Sequence, residues 1–365
     1  MSTNFYIANQ LLVLFAPALA VTLGGLPFGE KLKTRFLIFG HAIAFICALI
    51  EFWATLNHAK GDFILGHGCL QLHADGASAS LLAGITFIST VVVAFSDRYL
   101  GGDKFRQSFL SLISLLSSIS ALLVVSNNLF LTIVCWHLLS WGLWRIMRLQ
   151  KEARGSSSVV LGHHLLSDVL LLAALILIWN VSGTAAFTEL PSKLASFTGK
   201  FSLLDMHLPF SNLSVISLLL VLSFSIKSAL FPFHKWLLAT LDAPTPLSGF
   251  LHAGVVNVSA IIAYRLMPVL AGSPDMLFLW AGLSILSAVV CTISMSAQPD
   301  VKRKLLYSTV GQMGFMCLQC ASGAYAAAFF HLLAHGFFKC YMFLQCGGTV
   351  AEGQLKKNFA FAEST

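Results

Sequence analysis

Lys227 lies in the run Leu213–Phe233, which otherwise carries no formal charge, and Lys339 lies in a second apolar run with His331 and His335. An ammonium in hydrocarbon costs about 2.5–3.5 kcal/mol even on the lenient insertion scale, and intramembrane lysines mark proton or ion traffic. His331, His335 and Lys339 stand at i, i+4 and i+8. On a helix each step rises about 6 Å and drifts about 40°, giving a titratable stripe about 12 Å long. With water between them, groups at that spacing can hand on a proton. Two histidines four apart can also share a zinc. Here Lys339 is a poor third ligand and Cys340 faces elsewhere, so no metal is expected.

Further polar residues interrupt other apolar runs. His137 sits in Cys135-Trp-His-Leu138, His164 and Asp168 are four apart, and His252 follows a proline-rich break. The i, i+4 spacing puts His164 and Asp168 on one helix face. A lone histidine on an apolar helix is more often a packing residue, so His137 or His252 alone proves little. Glu51, near the end of its run, reads as a side chain that snorkels to the interface. The eight cysteines are scattered, and Cys317 and Cys320 form a CxxC within an apolar run, which reads as packing. No phosphate loop, dinucleotide fingerprint or HExxH is present. The chain is therefore expected to have no cofactor and no catalytic chemistry of its own.

The elements that position these groups are transmembrane helices. The 365 residues are 57% hydrophobic and 10% charged, with a mean hydropathy of +0.82, against about 25% charged in globular domains. The apolar runs are continuous for about 20 residues, which excludes the alternating strands of a membrane barrel. Eleven spans are expected, at about 10–26, 36–56, 78–96, 107–125, 128–149, 158–181, 211–233, 245–272, 276–297, 303–321 and 324–348. The first lacks a positive cluster and a cleavage site, and reads as a retained helix.

The net charge of +7 needs no nucleic acid to explain it. Basic residues fill alternate loops (Lys31, Lys33 and Arg35; Arg98, Lys104 and Arg106; Arg145, Arg148, Lys151 and Arg154; Lys302, Arg303 and Lys304). The positive-inside rule then places the N-terminus outside an inner (plasma) membrane and the C-terminus in the cytoplasm. Residues 57–77 alternate weakly and predict an external hairpin, and 182–210 predict an external loop. Phe231-Pro232-Phe233 and Asp242-Ala-Pro-Thr-Pro246 predict a broken helix around 233–246. Three parts follow: an N-terminal three-helix segment with the hairpin (1–100), a five-helix repeat (104–272), and a partial second repeat with a tail (275–365).

Three blocks resemble a known family. Ile226-Lys-Ser-Ala-Leu-Phe-Pro-Phe-His-Lys-Trp-Leu with Ala243-Pro-Thr-Pro-Leu-Ser-Gly-Phe-Leu-His-Ala253 resembles the signature of antiporter-like proton-translocating membrane subunits. Asp300-Val-Lys-Arg-Lys-Leu-Leu-Tyr-Ser-Thr-Val-Gly-Gln-Met-Gly-Phe315 and Ala327-Ala-Phe-Phe-His-Leu-Leu-Ala-His-Gly-Phe-Phe-Lys339 are similar to its next two motifs. These subunits occur in respiratory NADH–quinone oxidoreductase and multisubunit cation/proton antiporters.

The resemblance implies an antiporter-like all-α fold in which Lys227 is the central lysine of a first half-channel. It also implies that Asp168, His252, His331, His335 and Lys339 continue a polar axis. His137 stands where the family usually has the Glu of a Trp-Glu pair, which leaves the counter-charge for Lys227 to Asp168 or a partner. The chain is also shorter than family members, with the second inverted repeat truncated. A divergent relative, the DabB membrane subunit of inorganic-carbon uptake complexes, fits these departures. It implies a proton- or cation-conducting subunit in the lipid bilayer, without zinc of its own, that energises a large zinc-containing, carbonic-anhydrase-like partner. A respiratory pump, a Na⁺/H⁺ antiporter subunit and a non-conducting anchor are the alternatives.

Overall fold

A computed structural model describes residues 3–24, 29–57, 61–65, 70–203, 206–254 and 258–363. The chain is an all-α integral membrane protein with an antiporter-like fold. Helices α1 (Thr3–Gly24) and α2 (Glu30–Leu56) are joined through a hairpin, β1 (Gly61–Leu65) and β2 (Leu70–Ala74), to α3 (Gly76–Tyr99). Then follow α4 (Arg106–Val125), α5 (Leu129–Met147), α6 (Arg154–Ser182) and α7 (Asn212–Lys227). After a break come α8 (Lys235–Leu238), α9 (Thr245–Gly254), α10 (Val258–Arg265) and α11 (Met267–Ala271). The last three are α12 (Pro274–Ser296), α13 (Val301–Ala321) and α14 (Tyr325–Glu363).

Seven helices among the described residues are long and apolar enough to cross a membrane: α2 to α6, α12 and the Tyr325–Gly348 part of α14. Ile7–Leu23 and Asn212–Lys227 are shorter apolar helices. The run at 245–272, expected as one span, is divided into α9, α10 and α11. The expected hairpin is present, with Gly61 opposite Ala74 and Leu65 opposite Leu70 in an antiparallel register. The expected loop at 182–210 is more ordered than its composition suggests. It holds a 3₁₀ helix (Phe187–Thr198) and a second antiparallel hairpin, β3 (Lys200–Leu203) with β4 (Met206–Ser211).

The seventh span ends earlier than its hydropathy predicts, at Lys227 and not Phe233. Apolar residues continue past it, so composition gives no stop; backbone geometry does. Ala229 adopts a left-handed conformation (φ 55°). Leu230 N donates to Ser225 O at 2.8 Å and Ala229 N to Ile226 O at 3.0 Å, the paired bonds of a Schellman cap. Pro232, lacking an N–H, cannot restart the helix. The cap sets the Lys227 ammonium in the last turn, at the negative end of the helix dipole. The left-handed region costs a non-glycine residue about 1–2 kcal/mol. Ala229→Gly is therefore expected to raise the thermal stability of the detergent-solubilised protein by about 1 kcal/mol; an unchanged or lower melting temperature would contradict the capping account.

The break from Phe231 to Thr245 is tied down by charges outside the apolar runs. Lys302, at the start of α13, donates to Leu241 O at 2.5 Å and Ala243 O at 2.7 Å, and Ser156 donates to Asp242. Here α12 and α13 pack closely, because a Cβ at Gly314 would lie 2.7 Å from Ser284 O. Helices that approach this tightly in membranes do so over small residues.

Candidate functional site

Three adjacent helices, α5, α6 and α7, build a buried polar centre. Lys227 has no exposed surface. Its Nζ donates to Ser140 Oγ at 2.6 Å, to Asp168 Oδ1 at 3.3 Å and to Trp136 O at 3.3 Å. It also stands 4.8 Å from the centre of the Trp136 ring, so an aromatic face completes its surroundings. Ser140 Oγ in turn donates to Asp168 Oδ1 at 2.9 Å, and Asp168 Oδ2 meets His137 Nδ1 at 2.9 Å.

Helical spacing explains the assembly. Trp136, His137 and Ser140 fall within one turn of α5, so a carbonyl, an imidazole and a hydroxyl face α6 and α7 together. The result is a continuous series, Lys227–Ser140–Asp168–His137, in which each step is within hydrogen-bond reach. A buried ion pair is tolerated only when its remaining donors and acceptors are satisfied; Ser140 and His137 do that here. The series also reaches the surface, because the His137 side chain is 52% exposed while Asp168 is 6% exposed.

His164, one turn before Asp168, is fully buried, with its ring edge-on to Trp236 at 4.4 Å between centroids. Neither of its ring nitrogens has a hydrogen-bond partner among the described residues. It thus shares the α6 face with Asp168 but not its hydrogen bonds.

The second group lies on α13 and α14. Lys339 is buried, and its Nζ donates to Leu305 O at 3.2 Å; among the described residues it has no carboxylate partner. His335 is buried one turn away, its ring 6.1 Å from that of His331. His331 is held between Gln312 Oε1 (2.9 Å from Nε2) and Gln319 Oε1 (3.2 Å from Nδ1). A cavity of about 290 Å³ opens onto His331, His335, Lys339, Gln312 and Ser308. The stripe expected from the i, i+4, i+8 spacing therefore faces one cavity. His252 lies on α9, which packs against α14, but its side chain lies outside the described residues.

One expectation is overturned. Glu51 does not snorkel to the interface; it is fully buried and accepts from Gln10 Nε2 at 3.0 Å. A Glu stem is too short to reach water from the α1–α2 interface, where α1 covers it. Sequence reasoning also passed over Ser140, Gln312, Gln319 and Arg265. Arg265 is buried on α10 and donates to Val124 O at 2.8 Å and His73 O at 3.1 Å. Ser140 could have been found from its place one turn after Trp136-His137, whereas Gln312 and Gln319 gave no signal distinct from ordinary polar residues.

Comparison with known proteins agrees with this fold. The family described as NADH:quinone oxidoreductase/Mrp antiporter, TM, matches residues 126–363. A probable inorganic carbon transporter subunit DabB of Bacillus anthracis is 31% identical over 96% of this chain and 67% of its own length. DabB1 of Halothiobacillus neapolitanus is 30% identical over 94% of this chain and 62% of its own. The chain thus spans about two thirds or less of the relatives it matches. The membrane-bound sulfane sulfur reductase, an archaeal respiratory membrane complex, contains a chain that superposes with a TM-score of 0.78. That likeness covers 94% of this chain and 70% of the other at 20% identity, and speaks to the fold alone. The matched segment contains both polar groups, the capped end of α7 and the break after it, so this chain belongs to the NADH:quinone oxidoreductase/Mrp antiporter membrane family.

Proposed function

We propose that this chain is a proton-conducting membrane subunit of a larger complex, and that it couples the proton-motive force to inorganic-carbon (CO₂ or bicarbonate) uptake by a partner. The observation that carries this reading is the unbroken series from buried Lys227 through Ser140 and Asp168 to half-exposed His137. A hydroxyl that both accepts and donates, set between an ammonium and a carboxylate, lets a proton pass without a gap in the hydrogen bonds. Protons then continue along His252, His335, His331 and Lys339, with His164 alongside. In this reading residues 104–272 form the first antiporter-like repeat and 275–365 part of the second. The N-terminus is outside and the C-terminus in the cytoplasm of the inner membrane.

The carbon-uptake reading draws on the DabB relatives at 30–31% identity. A partner resembling a large zinc-containing carbonic anhydrase follows from it. Membership of a family that includes NADH:quinone oxidoreductase subunits supports a second reading, a subunit of a redox-driven pump, in which protons flow in the opposite energetic direction. Purifying the chain with its native partner and measuring bicarbonate uptake with and without an uncoupler separates the two. Co-purification of a zinc protein, with uptake that collapses on uncoupling, is the expected result. Co-purification of quinone-oxidoreductase subunits would favour the pump. Uptake indifferent to the uncoupler would leave only a membrane anchor.

A further inference from the structure

Outside the helices of the Lys227 relay, the α1–α2 interface holds a second buried carboxyl. Glu51 and Gln10 are both at most 1% exposed, and Gln10 Nε2 donates to Glu51 Oε1 at 3.0 Å. Asn9, the preceding residue, donates to Cys47 O at 2.8 Å, which locks the neighbouring turns of α1 and α2 in register. The two groups then each retain one oxygen, Glu51 Oε2 and Gln10 Oε1, that no donor among the described residues reaches. Among the described residues no lysine, arginine or histidine pairs with Glu51, and Cys47 is the titratable group facing it.

Two unsatisfied acceptor oxygens on touching side chains, both out of water, are satisfied by a proton on the carboxyl or by a cation between them. A bare carboxylate left in such a place costs several kcal/mol. Oxygen-only donors suit a proton or a hard cation rather than a soft metal. Glu51 is five residues from the end of α2, about 8 Å along the helix axis, so exchange with the adjacent aqueous phase is short-range.

We propose that Glu51 and Gln10, with Asn9 fixing their register, form a second monovalent-cation site that exchanges a proton or Na⁺, separate from the Lys227 relay. The site deepens neither the partner nor the substrate reading, and it stands or falls alone.

Labelling of the intact complex with N,N′-dicyclohexylcarbodiimide tests it. A protonated carboxyl gives its proton to a carbodiimide nitrogen while its oxygen bonds the central carbon; the adduct rearranges to a stable N-acylurea, and nothing leaves. The expected result is an N-acylurea on Glu51, found by peptide mass spectrometry, whose yield falls severalfold as pH rises. Protection by added Na⁺ identifies Na⁺ as an occupant, and response to pH alone identifies the proton. Gln10→Leu, which preserves packing volume but removes the amide arm, is expected to change the labelling rate severalfold. Glu51→Gln is the unlabelled control. No label on Glu51 at any pH, or a label indifferent to pH and Na⁺ alike, overturns the proposal. A Lys227→Ala complex should still label at Glu51, so failure of conduction and failure of this site are distinguishable.

Discussion

Lys227→Ala is expected to cut uncoupler-sensitive activity at least about 100-fold while the complex still assembles. Among the described residues the ammonium is the lysine or arginine charge that Asp168 contacts. Truncating one member of a buried ion pair costs about 3–5 kcal/mol, and each 1.36 kcal/mol is a factor of ten. The change also removes the Nζ with which the series begins at Ser140. Because lost charge pairing could act through folding alone, Lys227→Arg is the companion. Its guanidinium keeps the positive charge beside Asp168 but stays protonated at any accessible pH. Lys227→Arg should therefore assemble at near-normal yield and remain inactive. Full activity in Lys227→Arg would show that proton exchange at this position is not needed, and full activity in Lys227→Ala would reduce the chain to an anchor.

The second large effect is at Asp168. Asp168→Asn keeps the side-chain shape but leaves the Lys227 ammonium buried without a counter-charge, again a loss of about 3–5 kcal/mol. Conduction should fall by about two orders of magnitude. The geometry offers a specific rescue. His137 Nδ1 lies 2.9 Å from Asp168 Oδ2, so a carboxylate grown from position 137 enters the same cluster. Adding His137→Glu to Asp168→Asn moves the negative charge from α6 to α5, and activity should return to within about tenfold of the unaltered protein. Proton uptake by proteoliposomes carrying the reconstituted complex measures it. A double variant no more active than Asp168→Asn alone would mean that Asp168 acts through something other than its charge.

The same pair of residues shows how far the chain could be read in advance. Asp168 and His164 were placed on one face of α6 by their spacing, and Asp168 was one of two candidates for the missing counter-charge. That choice depended on the packing of α5, α6 and α7, which no local pattern encodes. Ser140 was invisible for the same reason: a serine one turn from a tryptophan is ordinary until two other helices bring a lysine and an aspartate to it. At α7 the apolar run through Phe231 concealed a helix end, because a left-handed alanine leaves no mark in hydropathy. Glu51 misled in the opposite direction. Its position near a helix end suggested escape to the interface, but α1 lies over it.

What the sequence determined by itself was the medium, the helical architecture and the list of groups that can titrate in it. Twenty-residue apolar runs can satisfy their backbones only as helices, and charges inside them must be few and useful. Tertiary structure decided which of those groups meet. Hydrogen bonds between α5, α6 and α7 turned a lysine, a serine, an aspartate and a histidine, spread over His137 to Lys227, into one series. The gap between α13 and α14 gathered a second group around one cavity. The reason is range: hydropathy and helical period act over a few residues along the chain. A proton relay needs atoms within about 3 Å of one another, and only packing brings distant helices that close.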